Sequence, residues 1–128
     1  MSEPKWLPKG AVLAMHLRQI AEHGGGEGVR DEGMLESALE RPRNKYAYGE
    51  PDIFDLAAAY AYGIARNHPF VDGNKRTALV ASRTFLLVNG YQINAGKEDR
   101  LRTFLALAAG ELGEEELAVW FRKHGVKR

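Results

Sequence analysis

Leu56-Ala57-Ala58-Ala59-Tyr60-Ala61-Tyr62-Gly63-Ile64-Ala65 is the longest apolar run in the chain, and His68-Pro69-Phe70-Val71-Asp72-Gly73-Asn74-Lys75-Arg76 follows it almost at once. The apolar run predicts a helix from about Asp55 to Asn67. It is apolar nearly all round, as a buried central helix is. Pro69 helps to end it. Beyond the polar segment, Ala78 to Val88 is again apolar on most sides and predicts a second buried helix. Gly73-Asn74 opens that helix and Asn89-Gly90 closes it, Gly90 suiting the left-handed position after a helix end. Two buried helices joined by a short polar loop predict an all-α protein.

The flanks agree. Leu13, Leu17 and Ile20 recur at helical spacing and predict one apolar face on a first helix. That helix starts near Pro8, which suits a first turn, and stops at Gly24-Gly25-Gly26, read as a flexible turn. Asp31 is a good N-cap for a second helix carrying Met34, Leu35, Ala38 and Leu39. Pro42 is expected to end it. Arg43 to Asp52, polar and containing Gly49 and Pro51, reads as a loop or short hairpin. Leu101, Phe104, Leu105 and Ala108 mark a fifth helix. A sixth carries Leu117, Trp120 and Phe121, with Glu114, Glu115 and Glu116 at its start and Lys123 and His124 at its end, signs that suit the helix dipole. No strand pattern is long enough to build a sheet. The expectation is one domain over residues 1–128, a bundle of about six helices with its core at about 10–124.

Composition narrows the function. The chain has 128 residues, and a chain of that size buries roughly 65–70% of its unfolded surface. The net charge of +1 argues against a dedicated nucleic-acid binder, which is usually strongly basic. There is no cysteine, so disulfides, thiolate catalysis and cysteine-based zinc sites are excluded. His16, His23 and His124 read as surface or packing residues, and no cluster makes a zinc site. Met1 to Trp6 lacks the apolar core of a signal peptide. Leu56 to Ala65 is far shorter than the roughly 20 residues of a spanning helix. A cytoplasmic protein with no membrane partner is expected.

The loop carries coherent chemistry. A helix N-terminus at Gly73-Asn74 presents free N–H groups to an anion. Gly73 lets the backbone approach a phosphate closely. Arg76 can grip phosphate oxygens in a bidentate way, and Lys75 adds a point charge. Asp72 offers a hard oxygen to Mg²⁺, although it could also simply cap the helix. His68 carries an imidazole, the side chain whose ordinary pKa lies nearest neutrality, and is the natural general base for a hydroxyl. Base, metal ligand and anion site are the parts that phosphoryl or nucleotidyl transfer needs. The P-loop pattern G-x-x-x-x-G-K-[ST] is absent.

This stretch closely resembles the Fic motif, whose usual form is HPFx[D/E]GNGR. Here it reads HPFVDGNKR, with Lys75 where most Fic proteins have glycine, and lysine there marks the Doc branch. Gly28-Val29-Arg30-Asp31-Glu32-Gly33-Met34-Leu35-Glu36-Ser37-Ala38-Leu39 is similar to the opening segment of Doc-type toxins. The resemblance implies a Fic-fold helical bundle with ATP as substrate and Mg²⁺ bound. It implies His68 as base, Asp72 as metal ligand, and Gly73, Asn74, Lys75 and Arg76 as nucleotide and phosphate contacts. Phe70 would anchor the loop. A small flap ahead of the motif, at Lys45, Tyr46, Ala47 and Tyr48, would dock the target by strand pairing.

Ordinary Fic proteins move AMP from ATP to a protein hydroxyl. In the Doc branch, the resemblance implies, the nucleotide binds in the reverse sense and the γ-phosphate is transferred, with elongation factor Tu as the target class and translation arrest as the result. The inhibitory helix pattern [S/T]xxxE[G/N] of many Fic proteins is missing here. The resemblance to Doc toxins implies a separate antitoxin, with a disordered tail that folds on binding, as the restraint. AMP transfer is the rival reading. A motif that only binds a partner is another.

Overall fold

The computed structural model describes residues 3–128. Among them are six helices and two three-residue strands: α1 (Lys9–His23), α2 (Glu32–Tyr48), α3 (Ile53–Asn67), α4 (Asn74–Val88), β1 (Tyr91–Ile93), α5 (Lys97–Ala108), α6 (Glu114–His124) and β2 (Gly125–Lys127). The all-α bundle is as expected. Beyond the helices, β1 pairs antiparallel with β2, Gln92 opposite Val126. Strands this short carry no readable alternation, and only the return of the C-terminus to β1 reveals them. Among the described residues no helix is long and apolar enough to cross a membrane.

The centre is α3. Leu56 to Ala61 are buried without a break, as are Gly63, Ile64 and Ala65. A helix buried on every side must be surrounded, and α2, α4 and α6 supply the contacts. Small side chains let them come close. A Cβ on Gly63 would stand 3.1 Å from Ala38 Cα, so the α2–α3 crossing has no room for one. Leu35, Phe85, Leu86, Leu107, Leu117 and Phe121 fill the remaining core, all fully buried.

The apolar face of α1 is not the one its leucines suggest. Val12, His16 and Ile20 are buried, whereas Leu17 is 52% exposed. The i, i+4, i+8 row through His16 faces α4, and a polar residue within that row hides it from a hydrophobicity pattern.

Helix α2 departs further from expectation. Pro42 does not end it; the helix runs on to Tyr48, so the stretch read as a loop or short hairpin is helical at Lys45, Tyr46, Ala47 and Tyr48. Proline inside a helix costs about 3 kcal/mol through its missing N–H and its ring. Tertiary contacts offset that cost. Pro42 is itself buried. Glu114, at the start of α6, binds Arg41 at 2.6 Å and also Lys45, one helical turn later. Tyr46 meets Trp6 edge-on at 5.7 Å, and Arg43 lies 5.3 Å over the same indole. The clamp grips both sides of the proline, and no local sequence signal foretells it.

Helix α3 begins two residues before the expected start, because Asp52 and Asp55 form a reciprocal capping box. Asp55 N–H donates to Asp52 Oδ1 at 2.8 Å, and Asp52 N–H donates to Asp55 Oδ2 at 2.9 Å. Arg122 of α6 binds both carboxylates, at 2.8 and 3.1 Å. Burial opposes ionisation of Asp52, but the Arg122 hydrogen bond, the Asp55 amide and the Arg122 charge outweigh it and hold the carboxyl below its ordinary range. The folded state then binds this proton less readily than the unfolded chain. The stabilisation is complete above the ordinary carboxylate pKa and is lost as pH falls through the lowered folded value.

Two outcomes follow from these clamps. Asp52→Ala should cost about 1 kcal/mol at neutral pH, a drop of roughly 3–6 °C in Tm. Calorimetry should show that gap closing as the pH is taken from about 5 to about 2; an unchanged gap at low pH would mean that the Arg122 charge contributes nothing. Glu114→Ala should speed amide exchange at residues 43–48 about ten-fold, near 1.4 kcal/mol of local stability, while α3 amides stay as protected as before. Uniform exchange across both helices would exclude a local clamp.

Candidate active site

The site begins where α3 ends. His68 occupies the position after the helix with φ 50° and ψ 54°, and it is the one non-glycine residue with positive φ among the described residues. A side chain in this region costs roughly 1–2 kcal/mol. Arg30 supplies the restraint. Its Nε donates to His68 O at 2.7 Å and its Nη2 to Asn67 O at 2.9 Å. The backbone N–H groups of Arg30 and Asp31 both donate to Pro69 O, at 2.7 and 3.1 Å. Val29 and Phe70 form an antiparallel bridge, and Val71 N–H reaches Gly28 O at 3.0 Å. The segment before α2 thus lies against the loop as a short strand-like brace.

Inside the loop, Asn74 draws the chain back on itself. Its Oδ1 accepts from Phe70 N–H and its Nδ2 donates to Phe70 O, both at 3.0 Å. The side chain is buried and engaged at both ends, so Asn74 shapes the loop, and what it offers an anion is its backbone N–H. Nδ2 also stands 3.4 Å from His68 Nδ1, a contact long enough to orient the ring without assigning its proton. Phe70 is fully buried beneath the loop and stacks on His16 at 3.9 Å.

Helix α4 then starts at Asn74, with Gly73 as N-cap at φ 75°. Thr77 N–H is the first to close a turn, onto Gly73 O at 3.0 Å. The amides of Asn74, Lys75 and Arg76 have no intrahelical acceptor. Asp72 does not cap the helix; its Oδ1 accepts from the adjacent Gly73 N–H at 2.8 Å. Its Oδ2 faces the glycine tract. A Cβ on Gly25 would fall 2.5 Å from that oxygen, and Gly25 has φ 118°. What reads as a flexible turn in sequence is a fitted wall.

His68, Asp72, Gly73, Asn74, Lys75 and Arg76 line one cleft of about 790 Å³. Lys75 and Arg76 have no ion-pair partner among the described residues, so their charge faces the cleft uncompensated. The rest of the lining includes an apolar surface: Leu79 from α4 and Leu101, Phe104, Leu105 and Ala108 from α5. Leu101 is 58% and Leu105 46% exposed, so part of the face that reads as core in sequence opens into the cleft. Lys45, Tyr46, Ala47 and Tyr48 do not line it. Arg30, His16 and Gly25 are the residues a reading of the motif alone misses. Only the distinctive segment 28–39 hinted at Arg30.

The donor set fits Mg²⁺ in one particular way. Among the described residues no group of three His, Cys, Asp or Glu could hold a metal ion alone. One exposed carboxylate beside a helix end with free amides is a donor set that Mg²⁺ can use when phosphates complete its shell. The cleft therefore has chemistry for an anion, a proton acceptor beside it, and an apolar surface for the rest of the ligand.

Comparison with known proteins agrees with this geometry. The Fic/DOC family model matches residues 6–86, from the segment before α1 to most of α4. The protein named "Protein kinase doc" of Escherichia phage P1 is 35% identical over 113 residues, covering 88% of this chain and 89% of that protein. "Toxin Doc" of Mycolicibacterium smegmatis is 49% identical over 75 residues, 56% of this chain and 57% of that protein. The chain belongs to the Fic/DOC family, with the Doc-type toxins.

Proposed function

We propose that this protein is a Doc-type toxin that transfers the γ-phosphate of ATP to a hydroxyl of a translation factor, elongation factor Tu, and so arrests translation in the cytoplasm. The observation that carries the reading is the convergence of His68, Asp72 and the α4 N-terminus with Lys75 and Arg76 on one cleft. Phosphoryl transfer depends mostly on positioning and charge stabilisation, and these residues can supply both. The target oxygen attacks the γ-phosphorus, the bond to the β–γ bridging oxygen breaks, and ADP leaves. His68 takes the hydroxyl proton. Amides at the start of α4, with Arg76 and Lys75, hold the phosphate oxygens. Asp72 would hold Mg²⁺, which when bound neutralises phosphate charge. The apolar wall of Leu79, Leu101 and Leu105 suits the nucleobase.

Lys75 and the name of the phage relative support phosphoryl over AMP transfer. In the rival reaction the hydroxyl attacks the α-phosphorus and pyrophosphate leaves. Lys45, Tyr46, Ala47 and Tyr48 stay in the proposal as the target-docking segment. Their backbone is engaged within α2, so strand pairing requires the last turns of that helix to open. A separate antitoxin, its tail folding on this chain, is the proposed restraint, as the relative named Toxin Doc suggests. No direct contact with nucleic acid belongs to this reading.

Incubation with elongation factor Tu and ATP labelled at the α or the γ position separates the reactions. Label from γ alone is the expected result. Label from α would establish AMP transfer, and no transfer from either would leave a binding module. His68→Ala should lower transfer by roughly 10²–10⁴ fold while the protein stays folded. Near-full activity in that variant would remove His68 as the base. Growth arrest on expression without antitoxin should be relieved by both His68→Ala and Arg76→Ala.

A further inference from the structure

His16 lies on α1, far from the motif in sequence, and its side chain is almost wholly buried at 2% exposure. Its ring stacks flat on Phe70, with centroids 3.9 Å apart and planes 6° from parallel. Its Nε2 stands 2.8 Å from the carbonyl oxygen of Asp72. A carbonyl oxygen can only accept, so Nε2 carries the proton and donates. No other hydrogen bond to that carbonyl is formed among the described residues. We propose that His16 is a positioning residue for the site, holding the Asp72–Gly73 peptide in the one orientation that presents the Asp72 carboxylate and the α4 N-terminus together.

A packing role alone would need only the ring. The hydrogen bond adds something specific, because the peptide it grips is one that can flip. Gly73 sits at φ 75°, where glycine alone moves freely to other backbone states. A flip of the Asp72–Gly73 peptide would turn the carbonyl away from α1. It would also draw Gly73 N–H off Asp72 Oδ1, a bond of 2.8 Å in the structure. Buried, stacked and bonded, His16 selects against that flip. Its Cδ2 and Nε2 lie 3.7 and 3.8 Å from where a Gly73 Cβ would stand, so the ring packs on the same turn that it bonds. Gly25 bounds Asp72 from the other side. The carboxylate is thus confined from the side-chain end by the glycine tract and from the main-chain end by α1.

The inference rests on Asp72 as the proposed metal ligand, and the test separates the two. His16→Phe keeps a ring to stack on Phe70 and removes the donor. His16→Gln removes the ring and restores a donor at similar reach. Binding of Mn²⁺ in the presence of adenylyl imidodiphosphate, followed by electron paramagnetic resonance, reads the site without turnover. His16→Phe should weaken Mn²⁺ binding about ten-fold or more, the usual effect of removing a group that orients a ligand. His16→Gln should recover most of that loss. In transfer assays, kcat should fall in His16→Phe with a smaller change in KM for the protein target. Equal Mn²⁺ binding by wild type and His16→Phe would overturn the positioning role alone. Failure of His16→Gln to improve on His16→Phe would overturn it too. Absence of Mn²⁺ binding in wild type would overturn the Asp72 assignment and this inference with it. Should His16→Phe not fold, nitrogen-correlated NMR of the wild-type ring decides: a slowly exchanging proton on Nε2 is expected, and a proton on Nδ1 alone refutes the bond.

Discussion

The left-handed turn at His68 is the constraint on which the site depends. Helix α3 must stop, reverse and feed α4 back beside it within a few residues, and the reversal passes through a backbone state that a histidine disfavours. Arg30 makes it stable by bonding the carbonyls of Asn67 and His68. Those are among the acceptors a helix end leaves without partners. A single guanidinium therefore ends the central helix, permits the strained turn and orients the residue proposed as base. Asn74 performs the matching task on the far side of the loop by closing on Phe70.

These restraints divide the loop into an inner layer and an outer one. Phe70 and the Asn74 side chain face inward and are spent on structure. His68, Asp72, Lys75 and Arg76 face the cleft. The division explains how so polar a segment can join two of the most buried helices of the protein. Much of its backbone is bonded by α1, by the 28–31 brace and by Asn74, which leaves Lys75 and Arg76 without an ion-pair partner among the described residues. Freedom from partners is what a phosphate-binding site requires, because an arginine already paired with a carboxylate has little to offer an incoming anion.

The continuation of α2 past Pro42 bears on how a target could approach. In an isolated peptide the proline would end the helix. Here Glu114 bridges Arg41 and Lys45 across it, and Trp6 packs on the following turn. The helix beyond the proline is therefore held by side chains of other elements more than by its own propensity. Such a segment is a natural place for local opening, since its stability rests on a few contacts at the surface. Tyr48, 89% exposed at its end, is already in solvent.

By itself the sequence determined the all-α class, the two apolar helices and the loop between them, because burial of α3 leaves a long apolar run at Leu56–Ala65 and α4 is apolar on most sides over Ala78–Val88. It also grouped His68, Asp72, Lys75 and Arg76, which line one cleft, since they are near neighbours in the chain and short-range spacing suffices to bring them together. Tertiary structure decided the rest. The face of α1 turned on His16, which bonds a carbonyl more than fifty residues away. The length of α2 turned on Glu114, more than sixty residues beyond Lys45. The apolar wall of the cleft came from α5, whose leucines carry no mark that separates core from cleft. Each of these depends on a contact between residues distant in the chain, and neither local propensity nor periodicity carries information about which distant partner a side chain will meet.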